Sequence, residues 1–320
     1  MEAALRPDPA LIERFERDLA ELVEPAGRIG IAVSGGPDSV ALLLLAASAR
    51  AGRIEAATVD HRLRPENADE ARFVAGLCER IGVPHVTLPV DVARGASVQA
   101  HARHARYRAL NDWAIEQSLG AVATAHHADD QAETLLMRLA RGAGLSGLAA
   151  TRRYRMLDKD ILLVRPLLGW RRAELGEIVG AARIEPVDDP ANRDPRHDRS
   201  RFRGLVERSD WAEAQRLASS AQWLADAEEA IEWTVAGLAA ERLGKADGGA
   251  TIDAGGLPRE LQRRLLLAAF DELGAARPRG PQLERAMRAL GEGKSVSLGG
   301  LKLSGGALWR VTPAPPRRAR

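Results

Sequence analysis

The sequence has 320 residues, of which 45% are hydrophobic and 28% charged, so wholesale disorder is excluded and about two globular domains are expected. The net charge of +2 does not by itself indicate a nucleic-acid partner. The longest apolar run, Val40–Ala49, is too short to cross a membrane, and the first residues lack the pattern of a signal peptide. Cys78 is the only cysteine, which excludes a disulfide framework and a cysteine-built zinc site. A cytoplasmic protein without a membrane segment is therefore expected.

Short β-rich runs alternate with helical patterns through the first half of the chain. An opening helix is predicted at Leu11–Leu22. Strands are predicted at Arg28–Val33, Ile54–Val59, His85–Val90, Ala121–Ala125 and Ile161–Arg165. Helices are predicted after these strands at 38–49, 66–81, 97–118, 129–141 and 171–182. This alternation is typical of βαβ units, so we predict an α/β fold with a Rossmann-like parallel sheet.

The second half begins with residues 185–199, which are rich in Pro, Asp, Asn and Arg and predict a long loop of a functional kind. Alternating apolar residues around Gly299 and Gly300 predict a β-hairpin within Ser295–Thr312. Helices are predicted at 200–243, 258–273 and 281–290, with a Gly/Asp stretch at 244–256. We therefore predict a catalytic domain at 1–210, a smaller helical domain with a hairpin at 211–312, and a disordered Pro/Arg tail at 313–320.

The strongest functional signal is the run SGGPDS at residues 34–39, which follows a predicted strand and opens a predicted helix. Glycines let the backbone approach a ligand closely, and a helix N-terminus favours an anion. Asp38 is unusual in an anion site unless it holds a divalent cation that binds phosphates. A plain strand–turn–helix with Ser and Asp caps is the alternative interpretation. The Walker sequence of P-loop NTPases does not occur.

The run SGGPDS resembles the SGGxDS signature of the PP-loop ATP pyrophosphatases. Further segments resemble the tRNA(Ile)-lysidine synthase family: TVDHRLR at 58–64, ARY at 105–107, ATAHHADDQAETLLMRLARGAGLSGLA at 123–149, RPLL at 165–168 and DDPANRDPRHDRSRFR at 188–203. The last segment departs from the family pattern at Ala191, Ser200 and Phe202. The ordered set of matches is similar to the short members of the family, which carry one small C-terminal domain. The resemblance implies that this domain, at 211–312, contacts the tRNA.

This resemblance implies ATP and Mg²⁺ as cofactors, and L-lysine and the CAU-anticodon isoleucine tRNA as partners. In the implied reaction, ATP adenylates O2 of the wobble cytidine, the ε-amine of lysine attacks C2, and AMP leaves. The residues implied to bind ATP are Ser34, Gly35, Gly36, Pro37, Asp38, Ser39, Thr58 and His61, with Asp38 also holding the metal. A homodimer is a further expectation, although the sequence fixes no oligomeric state.

Arg106 falls on the same side of its predicted helix as Leu110 and Trp113. An arginine in an apolar stripe is costly unless an anion pairs with it. We therefore expect Arg106 to contact an ATP phosphate and to act in catalysis, which is also its implied family role. A structural ion pair is the alternative.

Asp130 and Glu133 lie three residues apart at the start of a predicted helix, so they share a face. The same spacing is a helix-capping pattern. A lysine ammonium nevertheless needs carboxylates, and one of them could accept its proton as attack begins. Supported by the resemblance, we predict that both residues bind lysine and act in catalysis. The roles of His126, His127 and Asp129 stay open; Asp129 is either a second metal ligand or a cap.

Arg199, Arg201 and Arg203 alternate after the predicted loop. They are expected to reach tRNA phosphates, ATP or the carboxylate of lysine, and a solvated basic surface is the alternative. The tryptophans of the second half are expected to pack between helices rather than stack on RNA: Trp211, Trp223 and Trp233.

Two other functions compete with the predicted ligase. A tRNA thiolase of the same ATP-binding class usually needs paired cysteines, and Cys78 has no second cysteine to pair with. A nonenzymatic RNA- or nucleotide-binding homologue is the other alternative. The intact set of chemical residues argues against it: Ser34, Asp38, Arg106, Asp130 and Glu133.

Overall fold

The computed structural model of the chain describes residues 2–62, 66–92, 98–187, 198–209, 212–246 and 248–314. The chain forms two compact units, Met1–Ala225 and Asp226–Arg320. Within the described ranges, no helix has both the length and the apolar character needed to cross a bilayer. Most of the tail predicted at 313–320 lies outside these ranges. Leu63, Arg64 and Trp211 also lie outside them.

The first unit is built on a six-stranded sheet with the strand order β3-β2-β1-β4-β6-β5. Its strands are β1 (Ile29–Ala32), β2 (Ile54–Asp60), β3 (His85–Pro89), β4 (Ala121–Ala123), β5 (Tyr154–Met156) and β6 (Leu162–Val164). Every pairing is parallel except that of β5 with β6. The predicted α/β class with a parallel sheet is therefore confirmed, and only the short antiparallel edge strand β5 was not predicted.

Helices cover both faces of this sheet. They are α1 (Pro9–Ala20), α2 (Pro37–Ala49), α3 (Glu66–Ile81), α4 (Val98–Glu116), α5 (Ala128–Ala140), α6 (Leu145–Leu148), α7 (Arg172–Ala181) and α8 (Asp198–Glu207). Helix α2 starts at a proline, whose fixed φ suits a first helical position. Its residues from Ser39 to Ala47 are all buried, as expected for a helix that is apolar on every side.

Two clusters of buried side chains hold the sheet between the helices. The larger cluster surrounds α2 and includes Phe15 and Trp170. The smaller cluster lies under α4 and includes Leu110 and Trp113. Trp113 fits against Gly30 so closely that a Cβ on Gly30 would lie 2.5 Å from the indole ring. The strand β1 must therefore keep a glycine at this position.

The boundary between the two units lies within helix α9 (Ala214–Arg242). Ala221 packs with Leu135 and Ala150 of the first unit, whereas Val235 packs in the core of the second. The structural division thus falls inside α9, while the sequence-based boundary stands before it, at 210. The helical run predicted at 200–243 is interrupted, because α8 ends at Glu207 before α9 begins.

The second unit combines helices with an antiparallel sheet of order β7-β8-β11-β10-β9. After α9 its elements are β7 (Leu243–Ala246), β8 (Gly249–Ile252), α10 (Arg259–Glu272), α11 (Gly280–Gly291), β9 (Ser295–Leu298), β10 (Leu301–Ser304) and β11 (Trp309–Pro313). The predicted hairpin is confirmed: β9 and β10 pair across Gly299 and Gly300, which both have positive φ. Strands β7 and β8 were not predicted, because their residues are few and rich in glycine.

Candidate functional site

A cavity of about 540 Å³ opens at the carboxyl ends of β1, β2 and β4. In open parallel sheets this edge is where ligands bind. The predicted site residues that line it are Ser34, Gly36, Pro37, Asp38, Ser39, Arg106, Asp130, Arg199 and Arg203. The glycine-rich run and the first carboxylate of the acidic pair therefore share one cavity, although nearly a hundred residues separate them in sequence.

The glycine-rich run is held in a tight turn by its own side chains. The Ser34 N–H donates a hydrogen bond to Ser39 Oγ (3.1 Å), and the Ser39 hydroxyl donates to the Gly36 carbonyl (2.9 Å). Gly35 has φ +87°, a conformation that other residues rarely adopt. Its carbonyl also accepts a hydrogen bond from the Val187 N–H (3.0 Å). The start of α2 is thereby presented to the cavity in a fixed geometry that suits an anion.

Asp38 has one carboxylate oxygen without a partner at this end of the cavity. Its Oδ1 is buried and accepts no hydrogen bond from any described residue. Its Oδ2 lies 3.4 Å from His127 Nε2 and 3.9 Å from Arg172 Nη2. A buried, unpartnered carboxylate oxygen beside a phosphate-type loop fits Mg²⁺, which typically takes one or two protein carboxylates together with substrate phosphates. Among the described residues there is no cluster of three His, Cys, Asp or Glu that could hold a metal unaided.

His127 is buried (1% exposed) among three carboxylates. Its ring nitrogens lie 3.4 Å from Asp38, 3.6 Å from Asp129 and 3.7 Å from Asp130. Burial alone would lower the pKa of His127, but the surrounding carboxylates outweigh burial and raise its pKa to about 10. At neutral pH the ring is therefore a cation that bridges the two ends of the cavity.

The preceding residue, His126, is in the opposite state. Burial lowers its pKa to about 4, and the opposing effect of Asp130 does not overcome this. His126 lines the cavity, and its Nδ1 lies 3.0 Å from the Thr124 hydroxyl. A neutral imidazole here offers the cavity a hydrogen-bonding group without a charge.

Asp129 is tied to the start of α7. Its Oδ2 accepts a hydrogen bond from the Arg172 backbone N–H (2.8 Å), and both of its oxygens lie 3.3 Å from the Arg171 guanidinium. Burial would raise the pKa of Asp129, but its contacts with His127, Arg172 and Arg171 lower the pKa. Of the two roles left open, this geometry matches a carboxylate capping a helix, although the helix is α7 rather than its own.

Arginines neutralise the acidic pair. Glu133 is 1% exposed and does not itself line the cavity. Its Oε1 accepts a hydrogen bond from Arg203 Nε (2.7 Å) and its Oε2 from Arg199 Nε (2.7 Å). Arg199 Nη2 also donates to Asp130 Oδ1 (2.5 Å). Burial would raise the pKa of Asp130, but the charges of His127 and Arg199 lower it, so Asp130 is ionised at neutral pH.

The remaining predicted residues take other positions. Arg106 lines the cavity and contacts the ring of His61 (3.3 Å), and in the described part of the chain no carboxylate pairs with it. Thr58 is buried and its hydroxyl lies 2.9 Å from His85 Nε2, so its neighbours Ala57 and Val59 form that wall of the cavity. Gly35, His61 and Arg201 do not line the cavity. Of the predicted loop at 185–199, residues 188–197 lie outside the described ranges.

Sequence analysis missed three contributors to the site: Tyr107, Arg172 and the bridging role of His127. Tyr107 and Arg172 line the cavity directly. Two consecutive arginines, Arg171 and Arg172, stand at the N-terminus of α7, where the helix dipole disfavours a cation. That mismatch was a readable signal of a nearby anion. The position of His127 carried no comparable signal, since it depends on which strands become neighbours.

Comparison with known proteins places this cavity in a family. The PP-loop domain family matches residues 11–209, so the fold and the cavity define a PP-loop protein. The chain is 48% identical over 298 residues to a tRNA(Ile)-lysidine synthase of Zymomonas mobilis, covering 92% of this chain and 90% of the relative. It is 46% identical over 310 residues to that of Novosphingobium aromaticivorans, covering 96% and 94%. The chain therefore belongs to the tRNA(Ile)-lysidine synthase family.

A solved structure supports the fold alone. The U34-tRNA thiolase NcsA of Methanococcus maripaludis superposes with a TM-score of 0.57 at 16% identity. The match covers 68% of this chain and 79% of the thiolase. At this level of identity, the likeness concerns the arrangement of strands and helices and not the chemistry of the cavity.

Proposed function

We propose that the protein is an ATP-dependent ligase that joins L-lysine to C2 of the wobble cytidine of the CAU-anticodon isoleucine tRNA. The observation that carries the proposal is the single cavity that holds both the glycine-rich run and Asp130. One end suits a nucleoside triphosphate and the other an ammonium group. Membership of a family whose relatives bear the name tRNA(Ile)-lysidine synthase supports isoleucine tRNA and lysine as the substrates.

The first proposed step occurs at the glycine-rich end. The cytidine O2 attacks the α-phosphorus of ATP, and the bond to the β-phosphate oxygen breaks, so pyrophosphate leaves. The backbone of residues 34–39 and the hydroxyls of Ser34 and Ser39 would hold the phosphates in line for this attack. Arg106, which lacks a carboxylate partner among the described residues, would neutralise charge that develops on them. Asp38 would hold Mg²⁺, which as a Lewis acid stabilises charge on the phosphate oxygens.

The second proposed step occurs at the acidic end. The lysine ε-nitrogen forms a bond to C2, the C2–O2 bond breaks, and O2 leaves with AMP. The nitrogen enters as an ammonium and must lose protons before and during the attack. Asp130 faces the cavity as a carboxylate and would hold the ammonium and receive a proton. The buried carboxylate of Glu133 would add to the negative charge that attracts the ammonium.

At the acidic end, an arginine must move away before lysine can bind, and the glycine-rich end has no such requirement. Two carboxylates, Asp130 and Glu133, face two guanidiniums, those of Arg199 and Arg203, so their charges balance. An arriving ammonium must therefore take the place of a guanidinium at Asp130. Arg199 is the one to yield, because its side chain is 46% exposed whereas that of Arg203 is 19% exposed. Once released, Arg199 would be free to pair with the carboxylate of lysine or with a phosphate.

A tRNA thiolase is the competing enzyme, and Cys78 disfavours it. The chain's only cysteine lies on the buried side of α3, and burial raises the pKa of its thiol to about 12. A thiol in this state does not supply the thiolate that sulfur transfer needs. It also lies in the apolar core and not in the cavity.

The test is incubation of the protein with ATP, Mg²⁺, isotopically labelled L-lysine and the isoleucine tRNA, followed by nucleoside analysis. We expect the label in a modified cytidine. The matched control is the methionine tRNA with the same anticodon, which should stay unlabelled. Absence of label from every tRNA, or AMP formation that requires a sulfur donor, would contradict the proposal. The homodimer, the Mg²⁺ ion and a tRNA-contacting role of the second unit remain predictions.

A further inference from the structure

A second cavity, of about 270 Å³, lies in the first unit and has no role in the chemistry described above. We call it the Trp223 cavity. Its walls come from α1, α5, α9 and the segment that follows β6, and its lining includes Gln131, Arg153, Arg165, Gln215 and Trp223. This lining combines an aromatic ring, amides and guanidiniums. Such groups can stack on a planar ring and form hydrogen bonds with its edge.

Trp223 contradicts the sequence-based expectation that it packs between helices. It is 70% exposed on α9, and Trp233 on the same helix is 81% exposed. The prediction of buried tryptophans was therefore wrong for both residues. Helix α9 buries a stripe of alanines against the first unit, among them Ala221, and Trp223 points away from that stripe. A large ring left in water beside a cavity offers a face for stacking.

Arg165 supplies the second observation. Its side chain lines the Trp223 cavity, and the residue is 3% exposed. One of its terminal nitrogens, Nη1, donates to the Arg152 carbonyl (2.5 Å), but its Nε has no hydrogen-bond partner among the described residues. A buried N–H without an acceptor is unfavourable, and the same guanidinium interacts with Tyr107, which lines the first cavity, so Arg165 lies between the two cavities.

The Trp223 cavity is adjacent along α5 to the 540 Å³ cavity of the proposed reaction, which we call the catalytic cavity. Asp130 lines the catalytic cavity and the next residue, Gln131, lines the Trp223 cavity. Consecutive Cα atoms are about 3.8 Å apart, so the two cavities come within one residue of each other. Both cavities also lie at the carboxyl ends of strands of the same sheet, because the Trp223 cavity is lined by Arg165 and Pro166, which directly follow β6.

We propose that the Trp223 cavity binds a second, unstacked nucleobase of the same tRNA loop, with Trp223 as the stacking platform and Arg165 and Arg153 on its polar side. The inference rests on the proposed function, which supplies the RNA. Proteins read single-stranded RNA loops in this way, by splaying bases onto aromatic and guanidinium planes. A nucleobase would also offer hydrogen-bond acceptors to these arginines, since the edges of all four bases carry at least one oxygen or nitrogen acceptor.

Trp233 is the matched control because it differs in its surroundings. It follows Glu232 directly and stands four residues after Glu229 on the same helix. Negative charge at these positions disfavours the approach of a phosphate backbone. The lining of the Trp223 cavity includes one carboxylate, Asp18, and two arginines, of which Arg153 pairs with Glu21. If exposure alone decided tRNA binding, Trp223→Ala and Trp233→Ala would weaken it equally. A difference between their tRNA affinities therefore reports the contribution of the Trp223 cavity.

The experiment compares the variants Trp223→Ala, Trp223→Phe and Trp233→Ala with the wild-type protein. We expect Trp223→Ala to weaken binding of the isoleucine tRNA about 5- to 150-fold, the range of one lost base–aromatic stack. The KM values for ATP and lysine should not change. Trp223→Phe should keep most of the affinity because phenylalanine also stacks, yet lose part of the tryptophan fluorescence quenching that tRNA causes. Trp233→Ala should bind tRNA as the wild type does.

Several results would overturn the inference. One is a tRNA affinity of Trp223→Ala that stays within twofold of wild type. Another is unchanged fluorescence quenching in Trp223→Phe, a measurement that holds even if the alanine variant does not fold. A third is a self-association detected by light scattering that Trp223→Ala abolishes without changing tRNA affinity, since the surface would then bind protein. If the wild type binds tRNA but incorporates no lysine, the proposed function fails while the affinity comparison still decides the role of Trp223.

Discussion

The two ends of the catalytic cavity are prepared for their ligands in different ways. At the glycine-rich end, backbone groups and hydroxyls fix the turn, and Asp38 Oδ1 is left without a partner among the described residues. At the acidic end, each oxygen of Asp130 and Glu133 already has a partner: Arg199, Arg203 or the His127 backbone N–H. In the proposed function, the first end would accept its ligand as it stands, whereas the second would exchange an arginine for its ligand. The difference implies that nucleotide binding needs less rearrangement than lysine binding.

The largest loss of activity is expected from a substitution at the glycine-rich end of the cavity. Asp38→Asn keeps the size of the side chain but removes the charge that would hold Mg²⁺. We expect kcat/KM for lysine incorporation to fall about 100- to 1000-fold, the typical cost of removing one preorganised electrostatic group. Asp91→Asn, at a carboxylate whose side chain is 94% exposed, is the control and should retain wild-type activity. Equal activity of Asp38→Asn and wild type would show that the glycine-rich end does not work through a metal held by Asp38.

His127 lies between the two ends of the cavity, and its positive charge should affect the free energy of unfolding. The pKa of His127 is about 10 in the folded protein and about 6.5 when unfolded. Because the folded pKa is raised, this contribution is fully present below pH 6.5 and is lost as the pH rises toward 10. His127→Gln should therefore be less stable than wild type by a few kcal/mol near pH 6, at about 1.4 kcal/mol per pKa unit, and the gap should narrow toward pH 10.

Urea unfolding of both proteins from pH 6 to pH 10 measures this gap. His85→Gln is a suitable control, because burial lowers the pKa of His85 and its effect on stability has the opposite dependence on pH. A constant gap between wild type and His127→Gln across that range would mean that the three carboxylates do not hold His127 in its charged form.

Glu133 tests the acidic end. Glu133→Gln removes the buried negative charge that accepts hydrogen bonds from Arg199 and Arg203, although Arg199 keeps its ion pair with Asp130. We expect a loss of about 2–3 kcal/mol in the free energy of unfolding, less than for a fully buried pair because Arg199 is partly exposed. The KM for lysine should rise about tenfold or more while the KM for ATP stays near its wild-type value. A rise in both KM values to the same degree would indicate a general distortion of the cavity.

The smallest effect is expected for Arg199, and its direction is diagnostic. If Arg199 competes with lysine for Asp130, Arg199→Gln should lower the KM for lysine about two- to fivefold, the scale of one partly exposed ion pair. Arg201→Gln is the control, since Arg201 does not line the cavity. A higher KM for lysine in Arg199→Gln would show that Arg199 mainly binds the substrate and does not compete with it.

The glycine-rich end could be read from the sequence because its parts are local. The run at 34–39 contains the turn, the hydroxyls and the helix start together, and βαβ alternation predicted the sheet edge where it lies. The acidic end could not be read in the same way. Arg199 and Glu133 are 66 residues apart, so their pairing depends on how α8 packs against α5. No period or motif in the sequence reports that packing.

The errors have a similar origin. Trp223 and Trp233 were expected in the core because tryptophan is largely apolar, yet the buried stripe of α9 is made of smaller residues such as Ala218 and Ala221. Strands β7 and β8 were missed because glycines dilute their alternation, and pairing with β11 stabilises β8 from outside its own sequence. Local patterns thus predicted elements with a strong period of their own and failed where distant partners decide.

In the proposed function, the two ends of one cavity divide one reaction between them. A single-turnover experiment with the isoleucine tRNA, which follows release of pyrophosphate, release of AMP and incorporation of lysine separately, tests it most directly. For wild type we predict equal amounts of all three. For Asp38→Asn we predict that all three are slowed about 100- to 1000-fold, and for Glu133→Gln that release of pyrophosphate precedes a slow release of AMP. Loss of pyrophosphate release in Glu133→Gln to the same extent as in Asp38→Asn, with both proteins folded, would contradict the division.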